Sequence, residues 1–240
     1  MIPVSKSIRY VGLIPAAGAG TRVGPDIPKQ FLRLGQRTIL ELAIAAMLAD
    51  ARINRVFVVV AASEDRWQSL DVDAERVEFL VVGGATRAQS VRNGLAAIRA
   101  RMHDDDRVLV HDAARPCLGA AELARLIDQV GADDRGGLLA IPLTDTLKRS
   151  EDGRAVATVQ RAGLWRAQTP QMFGFAALRA ALAVEPLDGI TDEASAIERQ
   201  GSAPLLVLGS ATNIKITTMR DLEHARAILR ERELCDNALR

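Results

Sequence analysis

A chain of 240 residues with 48% apolar side chains can bury one substantial core, and an α/β unit of this length needs no second domain, so residues 1–240 read as one domain. Lys and Arg number 31 against 30 Asp and Glu, and the net charge of +1 excludes the broad cationic field that nucleic acid or an anionic membrane would select. Cys117 and Cys235 lie far apart with no CxxC spacing, the three histidines form no HxxxH pair, and there is neither a signal-peptide apolar region nor a run near the ~20 residues that span a bilayer, which together point to a soluble, cytoplasmic protein.

Short β-branched runs alternate with longer amphipathic ones, the pattern of a largely parallel sheet covered by helices. The first run, Tyr10 to Pro15, empties into the small residues Ala16-Ala17-Gly18-Ala19-Gly20, with Arg22 and Lys29 close behind. Backbone N–H groups without side-chain bulk approach a polyphosphate closely, and the two cations add charge that amides lack. The glycines by themselves also suit a tight turn. A dinucleotide fingerprint needs Gly where Val23 stands, and a P-loop needs Gly-Lys where Val23-Gly24 or Pro25-Asp26 stands, so neither fits.

Thr38 is placed to cap a helix over Ile39 to Ala49, ahead of strands at Arg55 to Ala61 and Val77 to Val82. Gly83-Gly84 then turns into a helix capped by Thr86 with Gln89 and reaching about Arg101; this loop suits a base or ribose, or an ordinary turn. A strand from Arg107 to His111 ends in Asp112, followed three residues later by Arg115. Asp112 suits Mg²⁺ near phosphates and Arg115 an anionic ligand, although the two also suit a pair that closes its own loop. His111 reads as a packed or hydrogen-bonded ring. A helix over Gly119 to Val130 and a strand over Gly137 to Ile141 follow.

The character then changes. Thr144 to Arg149 and Ala155 to Val159, joined through Asp152-Gly153, read as a hairpin arm at about 142–163. It is too polar to bury a face, and a lone hairpin is marginal in water, so an arm exchanged between two subunits would support it. Arg161 by itself suits a solvated surface charge. Thr191 is placed as an N-cap with Asp192 and Glu193 in the first turn, which assigns that segment a helix start. Strands at Pro204 to Leu208 and Asn213 to Thr217 precede a helix from Met219 to about Arg230, and in the second of these Lys215 faces away from Ile214 and Ile216.

Several strings recur in one order: Pro15-Ala16-Ala17-Gly18-x-Gly20-x-Arg22, Pro28-Lys29-Gln30, Gly83-Gly84 with Arg87 and Ser90-Val91, His111-Asp112-Ala113-Ala114-Arg115-Pro116, Arg161-Ala162-Gly163-Leu164-Trp165, Gln168-Thr169-Pro170-Gln171, Thr191-Asp192-Glu193-Ala194 and Asn213-Ile214-Lys215. In this the chain resembles, over roughly residues 10 to 225, the cytidylyltransferases that act on methylerythritol phosphate in the non-mevalonate isoprenoid pathway. The resemblance implies a Rossmann-like nucleotidyltransferase domain, a mostly parallel sheet flanked by helices, with a protruding β-hairpin arm, in a homodimer whose arms complete each other's sites. It implies CTP and a polyol phosphate as substrates and Mg²⁺ as cofactor. Ala16, Ala17, Gly18, Gly20, Gly84 and Ser90 would meet the nucleotide; Asp112, Arg115, Thr146, Arg161 and Thr169 the acceptor; and Asp112 the metal.

The implied chemistry is in-line attack of the acceptor phosphate on the α-phosphorus of CTP. Lys29 and Lys215 would stabilise the charge that develops there and Arg22 the departing pyrophosphate, and an already ionised phosphate needs no general base. This sequence departs from the family at Ala85 and Thr212, where acidic residues are found in relatives, which leaves contacts at those two positions open. The rival readings are a cytidylyltransferase for another polyol phosphate, such as ribitol 5-phosphate, and a non-catalytic nucleotide-binding module, whose signature would be a lost Lys29, Asp112 or Lys215. All three are present.

Overall fold

The computed structural model describes residues 8–18, 27–131 and 133–238, the last five by backbone alone. In chain order, β1 (Tyr10–Pro15) is followed by a two-stranded ribbon, β2 (Arg33–Leu34) and β3 (Arg37–Thr38), then α1 (Ile39–Leu48), β4 (Ile53–Val59), β5 (Val77–Leu80), α2 (Arg87–Ala97), β6 (Arg107–Val110), α3 (Ala120–Val130) and β7 (Gly137–Pro142). The hairpin β8 (Leu147–Glu151) and β9 (Arg154–Val159) comes next, then β10 (Trp165–Gly174), α4 (Phe175–Ala183), α5 (Glu193–Glu198), β11 (Leu205–Leu208) and α6 (Met219–Ala238).

Seven strands form one sheet in the order β11-β7-β10-β6-β1-β4-β5. Every neighbouring pair is parallel except the two that involve β10, which runs antiparallel between β6 and β7. Strands buried on both faces read as unbroken apolar runs, as Leu13-Ile14 and Val108-Leu109-Val110 do. Successive side chains point to opposite faces: Val11 and Leu13 join the core beneath α2, α4 and α5, while Ile14 joins the core beneath α1 and α3. Each such side chain, wholly buried, contributes about 1.5–3 kcal/mol.

The caps at α1 and α2 form as the sequence predicts. Thr38 accepts from Glu41 N–H and Thr86 from Gln89 N–H, and each acidic or amide side chain returns the bond. Four expectations are corrected. Residues 213–217 form no strand; the segment is irregular, and Ile216 N–H donates to the Ala114 carbonyl at 2.9 Å. The last helix runs to Ala238 rather than to about Arg230. The cap of α5 is Asp192, in a reciprocal pair with Ser195, not Thr191. Strand β10 and helix α4 are additions to the elements expected from the sequence; the run Trp165 to Gly174 mixes strand formers such as Trp165, Thr169 and Phe173 with Arg, two Gln, Pro and Gly, and pairing on both edges decides its conformation.

The hairpin is present. Asp152 and Gly153 both take positive φ, 46° and 75°, as a two-residue primed turn requires. Its two strands pair with each other in a sheet of their own and are exposed along almost their whole length. Among the described residues no helix is long and apolar enough to cross a membrane.

Candidate active site

Strands β1, β5 and β6 are parallel, so the loops that follow them open at the same edge of the sheet, where ligands gather in α/β folds. There Ala16, Ala17 and Gly18, then Gly84 to Arg87 and Ser90, then Asp112 to Ala114, together with Lys29, Gln30 and Lys215, enclose a cleft of about 550 Å³. A second cavity, about 170 Å³, adjoins it and is lined by Arg115, Gln168, Thr169, Gln171 and Asp192; Arg87, Asp112 and Lys215 border both.

The small-residue loop is held from outside itself. Gln30, 4% exposed, donates through Nε2 to the carbonyls of Ala16 at 2.8 Å and Gly18 at 2.9 Å, and Ala16 N–H donates to the Val59 carbonyl at 2.8 Å. Gly83 is required by close approach, since a Cβ there would lie 2.5 Å from the Ala17 Cβ. Ser90 Oγ accepts from Gly84 N–H at 3.1 Å and donates to the Thr86 carbonyl at 2.9 Å, which fixes the second loop against α2.

Asp112, 7% exposed, is the electrostatic centre. Its Oδ1 meets Arg87 Nε at 2.9 Å, and its Oδ2 meets Lys215 Nζ at 2.9 Å and Arg115 Nε at 3.4 Å. Burial pushes the carboxyl upward, but the charges of Arg87, Lys215 and Arg115 overcome it and hold the group well below the ordinary carboxylate range. Lys29 Nζ donates to the Ile216 carbonyl at 2.9 Å, next to Lys215, so both lysines reach one wall of the cleft from opposite ends of the chain.

His111 is fully buried, and burial lowers its pKa to about 4. Its Nε2 lies 3.0 Å from the Arg115 carbonyl, which only accepts, so Nε2 carries the proton. The neutral ring then accepts at Nδ1 from the Thr169 hydroxyl, 3.0 Å away, while Thr169 Oγ1 accepts from Asp112 N–H at 3.0 Å. The Thr169 proton is thus directed at His111. The irregular segment that carries Lys215 is tied in by Asn213, which donates to the Thr169 carbonyl at 2.8 Å and whose own carbonyl accepts from Arg115 Nη1 at 2.7 Å.

Of the residues singled out in the sequence, Ala16, Ala17, Gly18, Gly84, Ser90, Lys29, Asp112 and Lys215 line the larger cleft, and Arg115 and Thr169 line the smaller one. Thr146 and Arg161 border neither; both are exposed on the arm, where Arg161 donates to the Thr144 carbonyl. Gly20 and Arg22 lie outside the described residues. Three contributors are not evident as site residues in the sequence: Gln30 and Arg87 stand there only as members of motifs, and Glu193 as part of a helix start. Glu193 is 1% exposed and pairs with Arg87 through both carboxylate oxygens, at 2.6 and 3.0 Å. The signal is its spacing: Ala196 and Ile197, three and four positions on, are buried, so Glu193 shares their inward face.

Among the described residues no three His, Cys, Asp or Glu side chains cluster as metal ligands. Asp112 is the one carboxylate that borders both cavities among the described residues; Mg²⁺ commonly takes one or two protein carboxylates and completes its shell with phosphate and water, so Asp112 could serve it only by exchanging contacts with Arg87, Lys215 or Arg115.

The profile of the family described as 2-C-methyl-D-erythritol 4-phosphate cytidylyltransferase matches residues 10–231. A curated relative of that name from Laribacter hongkongensis is 53% identical over 224 residues, 92% of this chain and 96% of its own, and one from Nitrosomonas eutropha is 47% identical over 232 residues, 95% and 99%. Among solved structures, a 4-diphosphocytidyl-2C-methyl-D-erythritol synthase superposes with a TM-score of 0.84 at 41% identity, covering 94% of this chain and all of its own. The 2-C-methyl-D-erythritol 4-phosphate cytidylyltransferase from Thermus thermophilus superposes with 0.75 at 32% identity, covering 93% and all of its own. A family match over residues 10–231, with relatives and solved structures of that name similar along nearly the whole chain, means that this chain belongs to the 2-C-methyl-D-erythritol 4-phosphate cytidylyltransferase family.

Proposed function

We propose that the chain transfers the cytidylyl group of CTP to 2-C-methyl-D-erythritol 4-phosphate, releasing pyrophosphate, in isoprenoid precursor synthesis. The observation that carries this reading is the convergence of the small-residue loop, Lys29, Asp112 and Lys215 on one cleft, with a smaller cavity rimmed by Arg115 alongside it. Two anions must meet, so the work of the site is charge neutralisation. Lys29 and Lys215 stabilise the developing charge at the α-phosphate, Arg22 the leaving pyrophosphate, and Arg115 the entering phosphate. The backbone of Ala16 to Gly20, with Gly84 and Ser90, orients the nucleotide, and neutral, buried His111 takes no proton from the substrate.

Mg²⁺, when bound through Asp112, would neutralise phosphate charge and hold the triphosphate in one geometry. Since Lys215 and Arg115 already share Asp112 Oδ2, metal binding competes with those contacts. The active unit we propose is a homodimer in which Thr146 and Arg161 of one arm, with Thr169 of the core they meet, complete the acceptor site of the other subunit. Exposure of both arm residues supports this. A buried free thiol at Cys117 agrees with a reducing cytoplasm. A pyrophosphate-release assay with CTP, ATP, GTP and UTP over a panel of acceptors tests the function: turnover is expected with CTP and 2-C-methyl-D-erythritol 4-phosphate, and preference for ribitol 5-phosphate would overturn the acceptor.

A further inference from the structure

Arg87 borders three cavities: the nucleotide cleft, the smaller cavity beside it, and a third of about 270 Å³ against the segment from Glu185 to Ile190. It is also the first residue of α2, where the helix dipole disfavours a cation. Its charge is compensated by Asp112 at 2.9 Å and by Glu193, whose two oxygens take Nη1 and Nη2. We propose that Glu193 is a positioning residue for cytidylyl transfer, acting through Arg87 to hold the Asp112 carboxylate in the orientation that keeps Lys215 and Arg115 aimed at the substrates; the proposal rests on the functional reading above.

A helix start needs no more than a surface carboxylate. Glu193 is 1% exposed instead, and it grips the guanidinium at two points. With one N–H of each Nη bonded to Glu193, the fork of Arg87 is turned toward that carboxylate rather than free for a bidentate grip on a phosphate, and its Nε faces Asp112 Oδ1. Oδ1 is thereby occupied, and Oδ2 is left to Lys215 and Arg115. Arg87 works as a strut between two carboxylates rather than as a phosphate clamp. Freed from Glu193, its Nη donors would seek other acceptors, and the nearest carboxylate is Asp112 itself, which would be drawn away from Lys215.

The test compares the unaltered enzyme with Glu193→Gln, Arg87→Lys and the double variant, reading kcat and, separately, CTP binding by calorimetry. Glu193→Gln is expected to lower kcat about tenfold while the CTP stoichiometry stays unchanged and Kd moves by a much smaller factor, because Glu193 does not line the nucleotide cleft and reaches it only through Arg87. Arg87→Lys should show a similar kcat loss, and the double variant no further loss, since both changes break one strut. Wild-type kcat in Glu193→Gln, losses that multiply in the double variant, or stoichiometry that falls in step with kcat would each overturn the proposal. If Glu193→Gln does not fold, Glu193→Asp, one methylene shorter, is expected to show an intermediate kcat, and an unchanged kcat there would overturn it equally. No turnover by the unaltered enzyme would overturn the functional reading itself, a separate outcome.

Discussion

The cleft and the arm differ in what holds their polar groups. Among the described residues, the charges of the cleft are answered within the same chain: Asp112 by three cations, Arg87 by two carboxylates, Lys29 by the Ile216 carbonyl. On the arm, β8 and β9 pair with each other, and side chains such as Lys148 and Thr158 bond across the hairpin at 2.7 Å, yet no core lies beneath them. The contrast teaches that the cleft is organised by folding of this chain alone, while the arm finds within the chain only its own hairpin pairing, which is why the proposed dimer is the part to test. A cluster of buried charges tolerates little rearrangement, whereas an exposed ribbon can take its final place against a second molecule.

The largest effect should come from the two lysines. Lys29→Ala and Lys215→Ala are each expected to lower kcat by a factor of about 10² to 10³ with much smaller changes in CTP affinity, because their charges matter most as the transition state forms. Steady-state kinetics beside CTP calorimetry decides this, and near-normal kcat in either variant would return that lysine to a surface role. Asp112→Asn comes next. It leaves Arg87, Arg115 and Lys215 without their shared anion, for a loss on the order of 3 kcal/mol, the low end for a broken buried pair since Lys215 is 41% exposed and screened. A denaturant midpoint should fall accordingly, and the Mg²⁺ concentration for half activity should rise; an unchanged metal titration at normal activity would remove Asp112 from metal binding.

The interior of the cleft also predicts a pH response. His111 is buried neutral, with its folded pKa lowered from 6.5 to about 4 by burial. The unfolded chain binds a proton that the folded chain refuses, so this group's contribution is intact above about pH 6.5 and is lost as pH falls toward 4. Between pH 7.5 and pH 5 the loss should be about 2 kcal/mol, read from urea midpoints, and His111→Gln should flatten the slope.

The smallest change in rate is the one that separates cleft from arm. In a mixture of Lys29→Ala and Arg161→Ala subunits, a heterodimer with exchanged arms has one site carrying both defects and one carrying neither. Random mixing makes about half the dimers mixed, so roughly a quarter of wild-type activity should return from two nearly inactive parents. If Arg161 serves its own subunit, no activity returns from mixed dimers confirmed by mass.

Local residue types were enough for β1, the caps at Thr38 and Thr86, the primed turn at Asp152-Gly153, and the three loops that open on the cleft, because propensity, alternation and side-chain-to-backbone bonds act within a few positions. Motif order carried the family. What the sequence left undecided depends on partners distant along the chain. Strand β10 is a strand because β6 and β7 flank it, despite two Gln and a Pro. Residues 213–217 have strand-like alternation but join no strand ladder among the described residues, and Lys215 is held through Asn213, Ile216 and Asp112 instead. Glu193 and Arg87 lie 106 positions apart, and each has an adequate local explanation by itself. Only burial of the two together, where an unpaired charge would be costly, turns the starts of two helices, α2 and α5, into one strut behind Asp112.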